Sequence, residues 1–294
     1  MSVVVMGRIG RDLVLRTDGP PSASEATTVL HRDELLGGKG ANQAVGLAQL
    51  GAPVALIGVV GEDPAGASVL RQARGDGIDV DGVVQRGTTA LLIDIVGRPA
   101  ERILLEDVPE SSLVRVADLD RSASLWEDAD TVSIQLQQPP DTALAAARRA
   151  RRRGLRVVAD GVPEPDIRDD LLAMVDVLRA DSTEAALIAG TEVTTVEQAA
   201  ALADDLLTRG PGLVALAVPD VGDLLAWQAD RELFEFADVK VVDPTGAGDA
   251  FVAGLIAALR DGAGPRQAGR RAAAAASSTV QRLGGRPDLT GLAS

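Results

Sequence analysis

The sequence predicts an α/β fold with a doubly wound, mainly parallel central sheet flanked by helices. Apolar segments without polar alternation, such as residues 54–60, recur between helix-like segments along most of the chain. Strands of this kind lie in parallel sheets whose two faces are both covered by helices. Two stretches of short, more polar strands, residues 13–36 and 85–110, interrupt the alternation. We therefore expect one domain over residues 1–294, with a small β-sheet lid formed by the two insertions.

Glycine and proline residues separate the predicted elements. In the first half these are strand 3–6, exposed strands within 14–36, a helix from residue 41, strand 54–60, helix 64–76, and strands 90–96 and 102–105. The second half continues with strand 131–136, helix 140–153, strands 155–159 and 175–179, helices 184–188 and 196–207, strand 213–218, a β-like run over 236–242, and helices 249–259 and 270–280. Ligands of such sheets bind beyond the carboxyl ends of the strands, where the glycine-rich turns of this chain are also predicted to lie.

The composition excludes several classes of site. The chain has no cysteine and one histidine, His31, which excludes disulfides, thiolate metal sites and a multi-histidine metal centre. A formal net charge of −14 argues against a nucleic acid or an anionic membrane as partner. The sequence has no signal-peptide-like start and no apolar run of about 18 residues, so we expect a cytoplasmic protein.

A glycine-rich turn near the end of the chain predicts an anion site. Gly246 and Gly248 precede an apolar helical segment, and the first backbone N–H groups of a helix are unpaired at its positive end. Asp249 lies in the same turn, where a bound anion would repel it unless it takes up a proton or holds a cation. From these residues alone, a helix-capping acid behind an ordinary turn explains the stretch about equally well. A dinucleotide fingerprint is excluded, because Phe251 occupies the position of its third glycine.

A second glycine-rich turn makes the pattern specific. The sequence GGKGANQA at 37–44, followed by GVVGED at 58–63, resembles the first signature of the ribokinase-like (PfkB) carbohydrate kinases, and DPTGAGDAF at 243–251 resembles their second. The two occur in the expected order and separation, the insertions fall where that family has its lid, and the resemblance covers essentially the whole chain. It implies an ATP-dependent phosphotransferase that transfers the γ-phosphate to a hydroxyl of a small sugar or sugar-like substrate.

The resemblance also implies the roles of individual residues. Asp249 matches the general base, and Gly246, Ala247 and Gly248 match the anion hole. The residues that match sugar contacts are Asp12, Gly38, Lys39, Asn42 and Gln137. Asp181 and Glu184 match an Asn-x-x-Glu element that helps to place Mg²⁺ and the phosphates, Glu184 acting through water. Asp243 and Thr245 match positions that bind a monovalent cation such as K⁺ in many members, and the adenine site would be formed by Val218, Asp220, Gly222, Ala274 and Ser277.

Two departures bear on the substrate. Gly10 stands where ribokinases have a sugar-binding Asn, and Gln137 stands where they have a Glu, which removes two polar contacts to a ribose-like ring. A nucleoside kinase and a non-catalytic sugar- or nucleotide-binding relative therefore remain as alternatives. The lid segments contain no Phe, Tyr or Trp, which disfavours stacking on a nucleobase.

The lid suggests two further hypotheses. Arg98 and Arg102 can meet an acidic sugar or a sugar phosphate, although exposed lid-strand charges are the more ordinary explanation. In many relatives such lids also pair two subunits, so we expect a homodimer formed through the lid.

Overall fold

The computed structural model describes residues 1–19, 21, 25–97, 102–228 and 230–293. The strands are β1 (Ser2–Met6), β2 (Gly10–Thr17), β3 (Val29–Gly37), β4 (Val54–Val60), β5 (Val83–Gln85), β6 (Ala90–Val96), β7 (Arg102–Asp107), β8 (Ala129–Gln135), β9 (Arg156–Asp160), β10 (Val177–Ala180), β11 (Leu213–Val218), β12 (Gly222–Trp227) and β13 (Asp230–Glu235). The helices are α1 (Lys39–Gln49), α2 (Pro64–Gly75), α3 (Val116–Arg121), α4 (Pro140–Arg152), α5 (Arg168–Leu172), α6 (Ser182–Ala189), α7 (Val196–Thr208), α8 (Ala247–Arg260) and α9 (Pro265–Thr279).

The central sheet has the strand order β13-β12-β11-β10-β9-β8-β1-β4-β5. All neighbouring strands from β5 to β11 are parallel, and β12 and β13 add an antiparallel edge. Every residue of β4 is buried, because helices cover both faces of the sheet. Residues such as Ala143 of α4 pack in the hydrophobic cluster on one face, and Ala44 of α1 and Leu255 of α8 pack in the cluster on the other. The predicted fold class is confirmed.

A second, four-stranded sheet has the order β3-β2-β6-β7. Its strands come from the two predicted insertions, with β2 and β6 parallel and the outer pairs antiparallel. Asp12 and Asp94 are buried on its inner face. The predicted insertion of residues 85–110 begins slightly too early, because β5 pairs with β4 in the central sheet. Arg98 lies outside the described residues.

The stretch Gly61-Glu62-Asp63 anchors this second sheet to the body. One carboxylate oxygen of Asp63 accepts hydrogen bonds from Gly66 N at the start of α2 (2.7 Å) and from the Thr89 hydroxyl (2.6 Å). The other oxygen accepts from Thr89 N at 2.9 Å, and Gly61 N donates to the Thr89 hydroxyl at 2.9 Å. A single carboxylate therefore caps a helix and holds the chain just before β6.

One predicted strand is wrong. Residues 236–242 form no strand, and the chain instead makes a β12–β13 hairpin that the sequence analysis missed. Residues 236–242 pair with no strand among the described residues, and the N–H groups of Val242 and Asp243 both donate to the carbonyl of Val280. Within the described part of the chain, no helix is long and apolar enough to cross a membrane.

Candidate active site

The turn before α8 has the geometry of an anion site. Gly246 has a φ of 77°, and a Cβ atom there would lie 2.0 Å from the carbonyl oxygen of Gly285, so only glycine fits. Among the described residues, the N–H groups of Gly248 and Asp249 have no backbone or side-chain acceptor. Two donors at the positive end of a helix are therefore available to a ligand.

Asp249 does not cap this helix, and the capping alternative is excluded. The carboxylate of Asp249 instead accepts hydrogen bonds from the Asn42 amide at 3.0 Å and the Gln43 amide at 3.4 Å, both from α1. Burial, together with the nearby carboxylate of Asp160, raises the pKa of Asp249 to about 6, against the opposing charge of Lys39. Near pH 7 the group is thus mostly ionised, yet more basic than an ordinary aspartate.

A buried polar network is connected to the carboxylate of Asp249 through Gln43. The Gln43 amide donates to Asp160 at 2.9 Å and accepts from the Ser133 hydroxyl at 2.8 Å, and Arg179 donates to Asp160 at 3.1 Å. The sequence analysis missed these four residues. Asp160 and Arg179 lie at or near the carboxyl ends of β9 and β10, so a polar residue at the end of an otherwise apolar strand was the available signal.

The inner face of the second sheet supplies Asp12. Its carboxyl group lies against Gly37, where a Cβ atom would be 1.9 Å from the carboxyl carbon. Burial, together with the carboxylates of Asp94 and Asp249, raises the pKa of Asp12 to about 8. One of its oxygens is buried with no partner among the described residues. Such an oxygen is suited to accept a hydrogen bond from a polar ligand.

We expect Asp12→Asn to raise stability near neutral pH and to weaken acceptor binding. With its pKa raised from 3.8 to about 8, Asp12 keeps its proton in the folded protein where the unfolded chain has lost it. Its contribution to stability therefore falls as pH rises through that window. Thermal unfolding should show a larger Tm advantage of the variant at about pH 8 than at about pH 5. An equal Tm difference at the two pH values would contradict the buried, unpaired state of this carboxyl.

Gly38 and Lys39 lie on either side of the start of α1. Gly38 has a φ of 88° and leaves room for the Arg8 carbonyl, which a Cβ atom would approach to 2.7 Å. The Lys39 ammonium binds Glu184 at 2.7 Å and lies 3.9 Å from Asp181. Burial alone would lower the pKa of Lys39, but the carboxylates of Asp160 and Glu184 raise it above its ordinary value. Lys39 is therefore a fixed cation beside the predicted magnesium and phosphate residues.

Asp181 and Glu184 cap the start of α6 reciprocally. Each carboxylate accepts a 2.8 Å hydrogen bond from the other residue's backbone N–H. Within the described residues, no group of three or more His, Cys, Asp or Glu side chains could hold a metal ion. Mg²⁺ that arrives with a nucleotide needs only one or two protein carboxylates besides phosphates and water, so the partly exposed Asp181 and the adjacent Glu184 fit such an ion.

Asp243 is fully buried. One of its oxygens accepts from the N–H and hydroxyl of Thr245 at 2.9 and 2.5 Å, and the other accepts from Gly284 N at 2.9 Å. In the part of the chain that the structure describes, no cationic side chain lies within 4.0 Å of it. A buried carboxylate without a cationic partner fits the monovalent cation predicted for Asp243 and Thr245.

Gln137 does not join the cluster. Its side chain is exposed, whereas Gln135, two residues earlier, is buried, accepts from Arg8 N at 3.2 Å, and has an amide nitrogen without a partner among the described residues. Gly10 is packed tightly, since a Cβ atom there would lie 2.7 Å from Leu92. The polar group at this end of β8 is therefore Gln135.

The predicted adenine residues lie in two places. Val218 ends β11, Asp220 occupies the following turn with a φ of 58°, and Gly222 begins β12. Ala274 is exposed and Ser277 is half-buried on α9, which packs against β12. No hydrogen bond between described residues joins this turn to those two positions.

The chain is similar to known carbohydrate kinases over nearly its whole length. A model of the pfkB family of carbohydrate kinases matches residues 1–290. The chain is 28% identical over 291 residues to a ribokinase of Haemophilus influenzae, covering 98% of this chain and 95% of the relative. It is 32% identical over 265 residues to an ATP-dependent ribose-1-phosphate kinase of Halopiger xanaduensis, covering 88% and 86%.

Solved structures show the same architecture. The ribokinase of Thermotoga maritima matches with a TM-score of 0.82 at 25% identity, covering 97% of this chain and 95% of that one. The ribokinase of Arabidopsis thaliana, solved with ribose and ATP, matches with a TM-score of 0.79 at 27% identity, covering 98% and 96%. From the family match over nearly its whole length, the chain belongs to the pfkB family of carbohydrate kinases, which are phosphotransferases with an alcohol group as acceptor.

Proposed function

We propose that this protein is an ATP-dependent kinase of a small sugar or sugar-like alcohol, with Asp249 as general base. The observation that carries the proposal is the position of the Asp249 carboxylate, held by Asn42 at 3.0 Å directly beside the unpaired N–H groups that begin α8. A protein that only bound an anion would gain nothing from a carboxylate there. A base and an anion hole together are what phosphoryl transfer to an alcohol requires.

The reaction follows from these groups. Asp12, Asn42 and Gln135 would hold the acceptor, and Asp249 would take the proton of one of its hydroxyl groups as that oxygen bonds to the γ-phosphorus of ATP. The bond between that phosphorus and the β–γ bridging oxygen breaks, and ADP leaves. The N–H groups of residues 246–248 would stabilise the charge on the transferring group. Mg²⁺ near Glu184 would neutralise phosphate charge, and a monovalent cation such as K⁺ would bind at Asp243 and Thr245.

An ADP-release assay with a panel of acceptors tests the proposal. The panel contains pentoses, hexoses, sugar acids, sugar phosphates and the nucleosides inosine, adenosine and cytidine. We expect ADP release that depends on a sugar, with a phosphorylated sugar as product. Turnover of nucleosides alone would show a nucleoside kinase. If no acceptor in the panel stimulated ADP release, the proposal would be contradicted.

A second candidate is an acceptor that carries an anionic group. Arg102 lies on β7, opposite Val96, on the same inner face of the sheet as Asp94, and its Nε donates to Asp94 at 2.5 Å. Its two terminal nitrogens form no hydrogen bond with described residues, and the arginine fork suits phosphate or carboxylate. A relative that shares 32% identity acts, by its name, on ribose-1-phosphate.

Arg102→Ala is therefore expected to raise KM for a phosphorylated or acidic sugar by about 10-fold or more. KM for the corresponding neutral sugar should change little, because that substrate offers nothing for the guanidinium to bind. Steady-state kinetics on matched pairs, such as ribose and a ribose phosphate, measure the difference. Equal changes for both members of each pair would contradict a role of Arg102 in recognising an anionic group.

We also propose that two copies of the chain associate through the second sheet, β3-β2-β6-β7, which we call the lid sheet. The strand register of β2, β6 and β7 places seven apolar side chains on the outer face: Leu13, Leu15, Leu91, Ile93, Ile95, Ile103 and Leu105. Leu105 and Ile103 are 50% and 39% exposed, and an apolar sheet face in contact with water marks an interaction surface.

Leu105→Lys is expected to convert a homodimer into a monomer, because it places a charge within this apolar face. Sedimentation or light scattering at micromolar concentration measures the mass. Leu187→Lys on α6 is the control, since Leu187 is 63% exposed but lies outside the lid sheet. A monomeric mass for the unmodified protein would refute the association.

A further inference from the structure

Arg179, on β10, is a buried guanidinium beneath the candidate active site. Only 6% of the residue is exposed. Its Nη1 donates to Asp160 at 3.1 Å and lies 3.9 Å from Glu184. Burial alone would lower the pKa of Arg179, but the carboxylates of Asp160 and Glu184 raise it above its ordinary value, so the cation is permanent. Asp160 fixes its position and connects it, through Gln43, to Asp249.

The guanidinium lies directly against the anion hole. A Cβ atom on Gly248 would be 2.4 Å from Nη2 of Arg179. Gly248 has no positive φ, so its conformation would tolerate a side chain. The absence of that side chain instead leaves room for Arg179 to reach the first turn of α8, where the N–H groups of Gly248 and Asp249 have no acceptor among the described residues.

Part of this guanidinium has no partner. Nη2 donates to no acceptor in the described ranges of the chain, and Nε is buried without one. A charged donor that stays unsatisfied in the interior costs more than a neutral one. Nη2 lies beside Gly248 in the first turn of α8, where the N–H groups of Gly248 and Asp249 also have no acceptor among the described residues. Phosphate oxygens are acceptors that suit both the guanidinium and these N–H groups.

We propose that Arg179 is a further catalytic residue, whose Nη2 binds an oxygen of the phosphoryl group that is transferred. This inference rests on the proposed kinase function. Asp160 is a positioning residue, which holds the guanidinium so that its free edge points at the anion hole. The cation would complement the N–H groups of the turn and stabilise negative charge that spreads over the phosphoryl oxygens.

The test compares the binding of ADP with that of AMP-PNP, a non-hydrolysable ATP analogue that retains the third phosphate. In Arg179→Met, calorimetry should show AMP-PNP binding weakened by about 10- to 100-fold, with ADP binding nearly unchanged. Turnover of the best acceptor should fall by about 100-fold or more. Arg179→Lys should recover part of both losses, because lysine keeps the charge but not the fork geometry.

The variants are chosen so that a folding defect does not decide the result. Arg179→Met leaves Asp160 unpaired, and the double variant Arg179→Met/Asp160→Asn removes that buried charge. Arg260→Met is the matched control, because Arg260 also pairs with an aspartate, Asp130 at 2.7 Å, but at the opposite end of α8. It should bind both nucleotides like the unmodified protein.

The ratio of the AMP-PNP affinity to the ADP affinity is measured without turnover. It therefore tests the role of Arg179 independently of the acceptor panel, which tests the proposed kinase function. A selective loss of AMP-PNP binding in a folded Arg179 variant supports the proposal, since a merely structural role would affect both nucleotides alike. Unchanged relative affinities in the folded single or double variant, or equal losses for the two nucleotides, would overturn it.

Discussion

Asp249→Asn is expected to lower kcat by about 10²- to 10⁴-fold, the usual effect of removing a general base. Asparagine has the shape of aspartate and can still accept the hydrogen bond from the Asn42 amide, which lies 3.0 Å from the carboxylate. It cannot accept the proton of the substrate hydroxyl. Because the geometry is retained, KM for the acceptor and for ATP should change far less than kcat. The ADP-release assay with the best acceptor measures both constants.

The pH profile gives this prediction a second readout. Burial, with the charge of Asp160, raises the pKa of Asp249 to about 6, and only the ionised form can act as a base. In the unmodified protein kcat/KM should therefore fall as pH decreases through this value. Asp249→Asn should lose that dependence. Asp261→Asn, at the other end of α8 where Asp261 pairs with Arg271, is the control and should keep normal activity. Full turnover by Asp249→Asn would refute the mechanism.

The sequence was sufficient for most of the parallel strands of the central sheet, because their buried segments are mainly apolar. Strands such as β4 and β11 match their predicted bounds. The hairpin of β12 and β13 was missed, since β13 carries charged residues on an exposed edge. The run 236–242 has the alternation of a strand but pairs with no strand among the described residues. Pairing is a property of the whole fold, and a local pattern does not contain it.

The candidate site was predicted only in part, for a related reason. The two glycine-rich turns and Asp249 are adjacent in the sequence to the helices that they begin, so a local pattern reveals them. Gln43 bonds to Asp160 across 117 positions and to Asp249 across 206. Only the strand order brings such groups together. Gln137 was chosen by position in the chain, whereas the buried end of β8 presents Gln135 to the interior.

Gly246→Ala is expected to reduce kcat by about 10²- to 10³-fold, the effect of losing an anion-hole donor. Two separate effects of the new methyl group act on this turn. The φ of 77° strains any residue with a side chain, and the methyl group would lie 2.0 Å from the Gly285 carbonyl oxygen. The backbone must move to relieve that overlap, and the N–H groups of Gly248 and Asp249 move with it.

Gly262→Ala separates these two effects. Gly262 follows the other end of α8 with a φ of 83°, and a Cβ atom there would meet nothing within 4 Å. Both variants should lose about 1 kcal/mol of stability from the left-handed backbone, and Gly246→Ala should lose more because of the overlap. Only Gly246→Ala should lose activity when each variant is assayed well below its Tm. Equal activities would mean that the turn at residues 246–248 contributes no donors to the transferring phosphoryl group.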